Sequence, residues 1–327
     1  MVQLTWPHKD TDWAPILPEI TAVYEEIASE ILKREDLLIV APEGVLRFAT
    51  LSKRELPSFF TLHSSLFTSN DTWARDHGFI TVEDTSAISH QPSDIILLDF
   101  CFNGWGEKFE AALDNQINRH IYEQGLLKGT YEDHLDFVLE GGSIESDGNG
   151  TIFTTECCLM APHRNQPLTK QEIEGRLKQW LGAERIVWLQ HGSLIGDDTD
   201  GHIDTLVRIC PKDTLLYIGG DDAHPDLYEM DRELQSLRTL EGKPYRLLKL
   251  PLPRPIYDDE DRLPATYANY LVINGAVLVP TYNQPDLDAE ALRIIAQAFP
   301  GREIVGIDCC AVIRQHGSLH CCTMQYY

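Results

Sequence analysis

The feature that most restricts the fold is a recurrence. Five amphipathic helical segments stand apart along the chain, each set among short β-rich runs. A unit of several strands and one helix therefore repeats five times, at roughly sixty residues per unit. Helices are predicted over 18–34, 108–124, 170–181, 225–240 and 286–299. The first carries an apolar stripe of Ile20, Val23, Tyr24, Ile27 and Ile31, with Pro18 suited to its opening turn. The second turns Phe109, Ala112, Leu113, Ile117 and Ile121 inward and stops at Gly125. The third has a full set of boundary signals: Thr169 to cap, Glu172 to complete a capping box and Gly182 to end it. Leu227, Met230, Leu234 and Leu237 stripe the fourth, and Pro300-Gly301 closes the fifth.

Strands are predicted over 36–41, 78–82, 95–100, 135–139, 151–155, 185–190, 203–209, 214–218, 270–273, 276–280 and 303–307. Asn274-Gly275 between two of them is a strong hairpin turn. This pattern makes an α/β chain. A doubly wound sheet would want a Gly-rich phosphate loop, and neither GxGxxG nor GxxxxGK[ST] occurs. No linker or low-complexity stretch divides the chain, so residues 1–327 are expected to form a single catalytic domain. Three loops echo one another: Glu140-Gly141-Gly142-Ser143, His191-Gly192-Ser193 and His316-Gly317-Ser318. They are either equivalent loops of related units or a coincidence in a Gly-rich protein.

Charge narrows the partners. The 27 Lys+Arg against 51 Asp+Glu leave a net charge of -24. Such a field repels nucleic acid and anionic membranes and favours a cationic ligand, although solubility alone also selects acidic surfaces. No apolar run is long enough to span a bilayer, and the first residues lack the basic-then-apolar order of a signal peptide, so the expected compartment is the cytoplasm. Eight cysteines include three adjacent pairs, 157-158, 309-310 and 321-322, which is no disulfide framework, and no CxxC occurs.

Four stretches hold candidate chemistry. Near the chain end, His316-Gly317-Ser318-Leu319-His320-Cys321 sets a thiol after a Gly-Ser turn and beside imidazoles. Cys321 is either a nucleophile or a buried small hydrophobe. In Trp73-Ala74-Arg75-Asp76, the carboxylate of Asp76 can grip a cation with Trp73 packed over it. The other reading is an Arg–Asp surface pair. Glu140, ahead of two glycines, either points into an open cavity or simply ends a strand. Finally, Asp197, Asp198, Asp200, His202 and Asp204 crowd into one run. His202 and Asp204 are expected to share one face of a strand as an acid/base and anchoring pair. A divalent-metal reading stands beside it, without EF-hand or HExxH spacing and with no use for Cys321.

Taken together these pieces fit one reaction. Asp76 and Asp204 can bracket a planar guanidinium by paired hydrogen bonds, and a thiolate can attack its central carbon. His202 can move the protons, with Glu140 holding it charged.

The same residues carry a family likeness. Trp-x-Arg-Asp, Glu-Gly-Gly-Ser, Gly196-Asp197-Asp198-Thr199-Asp200-Gly201-His202-Ile203-Asp204 and the terminal Gly-x-x-His-Cys resemble the agmatine deiminase family. That family groups with the bacterial peptidylarginine deiminases in the guanidino-group-modifying superfamily. The likeness covers nearly the whole chain, including Phe102-Asn103-Gly104-Trp105-Gly106, Thr154-Thr155-Glu156-Cys157-Cys158-Leu159 and Asn274-Gly275-Ala276-Val277-Leu278. It implies a five-bladed α/β propeller around a polar cavity, with no metal and no organic cofactor. It implies Cys321 as nucleophile, His202 as general acid/base with Glu140 as its partner, and Asp76 and Asp204 as guanidinium holders. The implied reaction passes through a covalent thiouronium and turns agmatine into N-carbamoylputrescine and ammonia, on the route to putrescine. The alternatives are an arginine or peptidylarginine deiminase making citrulline, a silent polyamine-binding protein, and a metal-dependent hydrolase. The expected partner is a small cationic guanidino substrate; a homo-oligomer is left open. The sequence departs from the family pattern at Gln315-His316-Gly317-Ser318, where a Gly-rich run ending in Asn is usual. It also starts almost at the segment Leu4-Thr5-Trp6-Pro7-His8, which family members usually precede with a short lead-in.

Overall fold

A computed structural model describes residues 1–45, 61–84 and 94–327. The chain forms two compact units. One comprises Met1–Gly141 with His320–Tyr327, the other Gly142–Leu319.

The first unit contains two mixed sheets. In one, Val2–Thr5 pairs antiparallel with Thr323–Gln325 and parallel with Leu37–Ala41, which in turn pairs parallel with Leu62–Leu66. In the other, Ile95–Cys101 pairs antiparallel with Ile80–Glu83 and parallel with Thr130–Val138. Parallel neighbours need a crossover: the helix Leu17–Leu32 links Val2–Thr5 to Leu37–Ala41, and the helix Asp114–Glu123 links Ile95–Cys101 to Thr130–Val138. Val2–Thr5 and Leu37–Ala41 are buried along their whole length; Leu37–Ala41 reads as an unbroken apolar run, whereas Gln3 and Thr5 are buried polar residues of the first strand. The two chain ends meet in this unit. The terminal ammonium of Met1 donates to Tyr326 O (3.0 Å) and lies 3.3 Å from Glu35 Oε2.

The second unit repeats the same pattern three times. Thr151–Thr155, Thr214–Ile218 and Ala276–Thr281 each pair antiparallel with the strand before (Ile144–Ser146, Val207–Cys210, Leu271–Ile273). Each pairs parallel with the strand after (Arg185–Leu189, Arg246–Leu250, Glu303–Asp308). The crossover helices are Lys170–Leu181, Asp226–Ser236 and Pro285–Ala298. Among the described residues, then, strand–strand–helix–strand occurs four times in chain order, and the C-terminal strand Thr323–Gln325 beside Val2–Thr5 completes a fifth. The sequence repeat is real, and its five helices are the five crossovers.

Local signals held where a side chain dictated the boundary. Thr169 and Glu172 form the full capping box, and Gly182 ends that helix left-handed at φ 65°. The Asn274-Gly275 turn closes its hairpin with Gly275 at φ 74°. Three expectations need correction. The helix expected from 108 begins at Asp114, because Gly104, Trp105 and Gly106 adopt φ of 67°, 56° and 86° in a tight left-handed turn that the periodicity did not register. Phe109 is consequently 45% exposed and Ala112 is exposed as well, whereas Ile117 and Ile121 are buried as expected. The helix expected to reach 240 ends at Ser236, leaving Leu240 exposed. The strand expected from 203 begins at Val207, and Ile203–Thr205 is a single 3-10 turn. The three Gly-Ser loops each follow the last strand of a repeat; Ser143 and Ser318 are buried, while Ser193 is exposed and tied to Asp226.

Candidate active site

Four of the six predicted site residues belong to the first unit, and one peptide group gathers three of their segments. The short helix Ala74–His77 carries Asp76, with Trp73 at its N-cap. The Arg75 N–H donates to Cys321 O at 3.1 Å, which stitches the terminal loop to this helix. On the other side, a Cβ at position 141 would collide with Arg75 O, so only glycine lets the segment after Glu140 pass that close. Asp76, Glu140 and Cys321 are all buried, with Cys321 6% exposed.

An aromatic wall encloses Asp76. Trp105 Nε1 donates to Asp76 Oδ2 at 2.9 Å. The Trp105 ring lies edge-on to Trp73 (6.4 Å between centroids) and to Phe102 (5.0 Å), and Trp73 tilts against Trp13 at 5.6 Å. Asp71 anchors the wall from behind: its Oδ1 accepts from Trp13 Nε1 (3.0 Å) and its Oδ2 from Trp73 Nε1 (2.9 Å). Burial pushes Asp71 up to about 6 despite these donors. Trp105 and Asp71 were not singled out from the sequence. Their signal was present in Asn103-Gly104-Trp105-Gly106, where glycines on both sides of a Trp mark a strained turn. Asn103 Oδ1 accepts from Gly106 N at 2.9 Å to hold it. Arg75 is buried and reaches Met324 Sδ (3.2 Å) and Gln325 Oε1 (3.4 Å), which disposes of the surface-pair reading.

Next to the nucleophile candidate stands a second thiol. Cys322 is fully buried, and burial pushes its thiol up to about 12. His77, also buried, is held down to about 3 by desolvation and sits 3.2 Å from Thr5 Oγ1. It is a neutral structural imidazole. All eight cysteines are unbridged.

The second unit holds His202 and Asp204, both fully buried. They lie on the 3-10 turn rather than on a strand, so the expected period-two placement on one face does not apply. What fixes them is the preceding loop. Asp197 Oδ1 accepts from Thr199 N (3.1 Å) and Thr199 Oγ1 (2.6 Å), and its Oδ2 from Gly201 N (2.7 Å). Thr199 Oγ1 accepts from His202 N at 3.0 Å, and Thr155 Oγ1 donates to Gly201 O at 2.6 Å. The Arg164 guanidinium spans Asp200 Oδ2 and Thr199 O, both at 2.7 Å. Two carboxylates that could have ligated a metal are thus occupied in closing the turn and pairing with Arg164. Burial raises Asp197, partly offset by its three donors.

Among the described residues no helix is long and apolar enough to cross a membrane.

The chain matches the model of the Porphyromonas-type peptidyl-arginine deiminase family over residues 1–326. The agmatine deiminase of Medicago truncatula is 30% identical, aligned over 98% of this chain and 91% of its own. A crystal structure from Porphyromonas gingivalis, provisionally described as an arginine deiminase, is 47% identical with a TM-score of 0.89, covering 99% of this chain and 94% of that one. A cysteine-to-serine variant of C. jejuni agmatine deiminase with substrate bound is 34% identical, with a TM-score of 0.86 over 99% of this chain and 92% of that one.

Proposed function

The chain belongs to the Porphyromonas-type peptidyl-arginine deiminase family, and from that premise we propose that it is an agmatine deiminase, a hydrolase that converts agmatine to N-carbamoylputrescine and ammonia. The observation that carries the reading is the gathering of Asp76, Glu140 and Cys321 around the Arg75 peptide, with an indole wall over Asp76.

The steps follow from the chemistry of these groups. Asp76 and Asp204 accept hydrogen bonds from the guanidinium nitrogens and fix its plane. The Cys321 thiolate attacks the central carbon, forming an S–C bond and a tetrahedral adduct. His202, held charged by Glu140, gives its proton to one nitrogen, and ammonia leaves with the C–N bonding pair. The resulting S-alkylthiouronium is attacked by water, whose proton passes to the now neutral His202. The C–S bond then breaks, returning the thiolate, and the hydroxyl proton of the adduct passes to the released ammonia or solvent as the neutral ureido product leaves. A cysteine-to-serine agmatine deiminase that holds its substrate behaves as expected when the nucleophile is removed and the pocket stays intact. The net charge of -24 favours a dication over zwitterionic arginine.

The five strand–strand–helix–strand repeats support the five-bladed arrangement, with one catalytic domain over 1–327. Eight free thiols suit the reducing cytoplasm, where the product would feed putrescine synthesis. The second reading, a deiminase of free or peptidyl arginine, draws on the family's description and on the 47% identical structure.

One assay separates them: ureido colour formation with agmatine, free arginine and peptidyl arginine in parallel. Agmatine is expected to be turned over preferentially, and Cys321→Ala to lose turnover while still binding agmatine. Preference for an arginine substrate would install the second reading. Undiminished turnover by Cys321→Ala would end the thiol mechanism.

A further inference from the structure

The loop that leads to Cys321 is tied at two separate points to the segment bearing His202 and Asp204, and all the tying residues lie within the second unit. The first tie is His316. Its Nδ1 lies 2.7 Å from Gly196 O, and a carbonyl only accepts, so Nδ1 carries the proton. The same nitrogen is 3.6 Å from Asp198 Oδ2. Holding the ring there puts His316 in the left-handed region at φ 63°, a conformation costly for a residue with a Cβ. Its acceptor does not drift. Gly196 sits at φ 89°, where a Cβ would strike Arg262 O, and the Asp197 N–H donates to Leu194 O at 3.2 Å.

The second tie runs through Tyr282, which is buried. Tyr282 Oη donates to Thr266 O at 2.8 Å, so its only proton is used there, and Ser318 Oγ at 2.8 Å must be the donor to Oη. Thr266 Oγ1 donates onward to Thr205 O (2.8 Å), and Thr205 Oγ1 to His202 O (2.8 Å). A chain of hydroxyls therefore runs from Ser318 to the backbone of His202.

We propose that His316 and the Ser318–Tyr282–Thr266 relay form a two-point latch that sets the register of the 315–319 loop against the 196–205 segment. They are positioning residues for the deiminase reaction. The inference rests on the function proposed above. The latch fixes where the backbone leading to the thiol begins, relative to the acid/base and one guanidinium holder. Small displacements of such groups reduce turnover far more than they reduce binding.

The test compares His316→Leu, His316→Gln and Tyr282→Phe with the wild-type chain in agmatine turnover. His316 is only partly buried, so Leu should fold. The Gln amide can still donate to Gly196 O. Expected for His316→Leu is a fall in kcat of about ten- to a hundred-fold with little change in KM or in melting temperature. His316→Gln should restore most of that loss. Tyr282→Phe keeps the ring and removes the hub, and it should also lower kcat more than KM. Wild-type kcat in His316→Leu, or equal losses in Leu and Gln, overturns the latch and leaves the deiminase reading standing. A wild-type chain that turns over no guanidino compound overturns that reading, and the latch's catalytic role with it.

Discussion

Two acidic stretches of this chain solve opposite problems. Around Asp76 the surroundings are aromatic: Trp73, Trp105, Trp13 and Phe102 pack edge to edge, and the indole N–H groups of the three tryptophans supply donors to Asp76 and Asp71. The 196–205 segment is built differently. Backbone N–H groups and the Thr199 hydroxyl donate to Asp197, and Arg164 donates to Asp200. The first arrangement desolvates carboxylates and leaves a π face for a cation. The second consumes its carboxylates to stiffen a loop, so that His202 and Asp204 are presented from a rigid base. A cluster of acids in a sequence can therefore be a receptor or a brace. What distinguishes them is the indole N–H groups that reach Asp71 and Asp76, against the loop's own N–H and hydroxyl groups that close around Asp197.

The largest effect on substrate binding tests whether both stretches deliver one carboxylate to the same cation. Asp76→Asn and Asp204→Asn should each weaken agmatine binding by about 1.5–3 kcal/mol per charged hydrogen bond lost. Calorimetric titration in a Cys321→Ala background, where no turnover intervenes, measures it. Binding unchanged in either variant would remove that residue from the clamp.

The next effect should appear in the aromatic region. Asp114 opens the helix Asp114–Glu123, and its Oδ1 accepts from Asn70 N (2.7 Å) and Asp71 N (3.3 Å), anchoring the loop that carries Trp73. Burial raises it from 3.8 to about 7, with Asp71 adding to the rise. The native state therefore keeps a proton that the unfolded chain has already released. Stability from this group is intact below about pH 4 and declines as pH rises toward 7. Asp71, at about 6, slopes the same way. Asp114→Asn should flatten that slope and raise stability at pH 8 by about 2–4 kcal/mol, three units at about 1.4 kcal/mol each being the ceiling. Denaturant melts from pH 4 to 8 check it; a slope identical to wild type would refute the account. In the brace, Asp197→Ala should instead cost about 2–3 kcal/mol at neutral pH, from three lost acceptor contacts at roughly 1 kcal/mol each.

These contrasts also explain what the sequence could and could not convey. The five crossover helices were legible because each buries one stripe, and period 3.6 is written into the residues that do so. Asp76, Glu140 and Cys321 were legible as chemistry, because few other uses suit those residue types beside glycine and tryptophan. Asp76 was nonetheless open to a bland reading, since burial of its neighbour Arg75 by Met324 and Gln325 depends on a strand some 250 positions away. The misplaced strand start at 203 has a local cause. Alternating Ile203, Thr205 and Val207 mimic β pattern, while the Asp197–Thr199–His202 bonds that bend the segment are side chain to backbone and leave no periodic trace. The strand Thr323–Gln325 escaped notice because its partner is the first strand of the chain, and no local rule relates the two ends.

The smallest effect is the most discriminating, because it touches a single hydrogen bond of the receptor. Trp105→Phe keeps an aromatic ring against Trp73 and Phe102 but removes the N–H that Asp76 Oδ2 accepts at 2.9 Å. A carboxylate losing one of its donors is free to rotate, and the guanidinium it holds loses a fixed partner. The expected loss in agmatine affinity is about 1.5 kcal/mol, the lower end for a hydrogen bond to a charged group, or roughly ten-fold. The melting temperature should hardly move, since the ring contacts survive. If Asp76 instead needs only the wall's low polarity, Phe will serve as well as Trp and the affinity will not change. The aromatic region would then act on Asp76 by excluding water alone, and the difference between the two acidic stretches would reduce to burial.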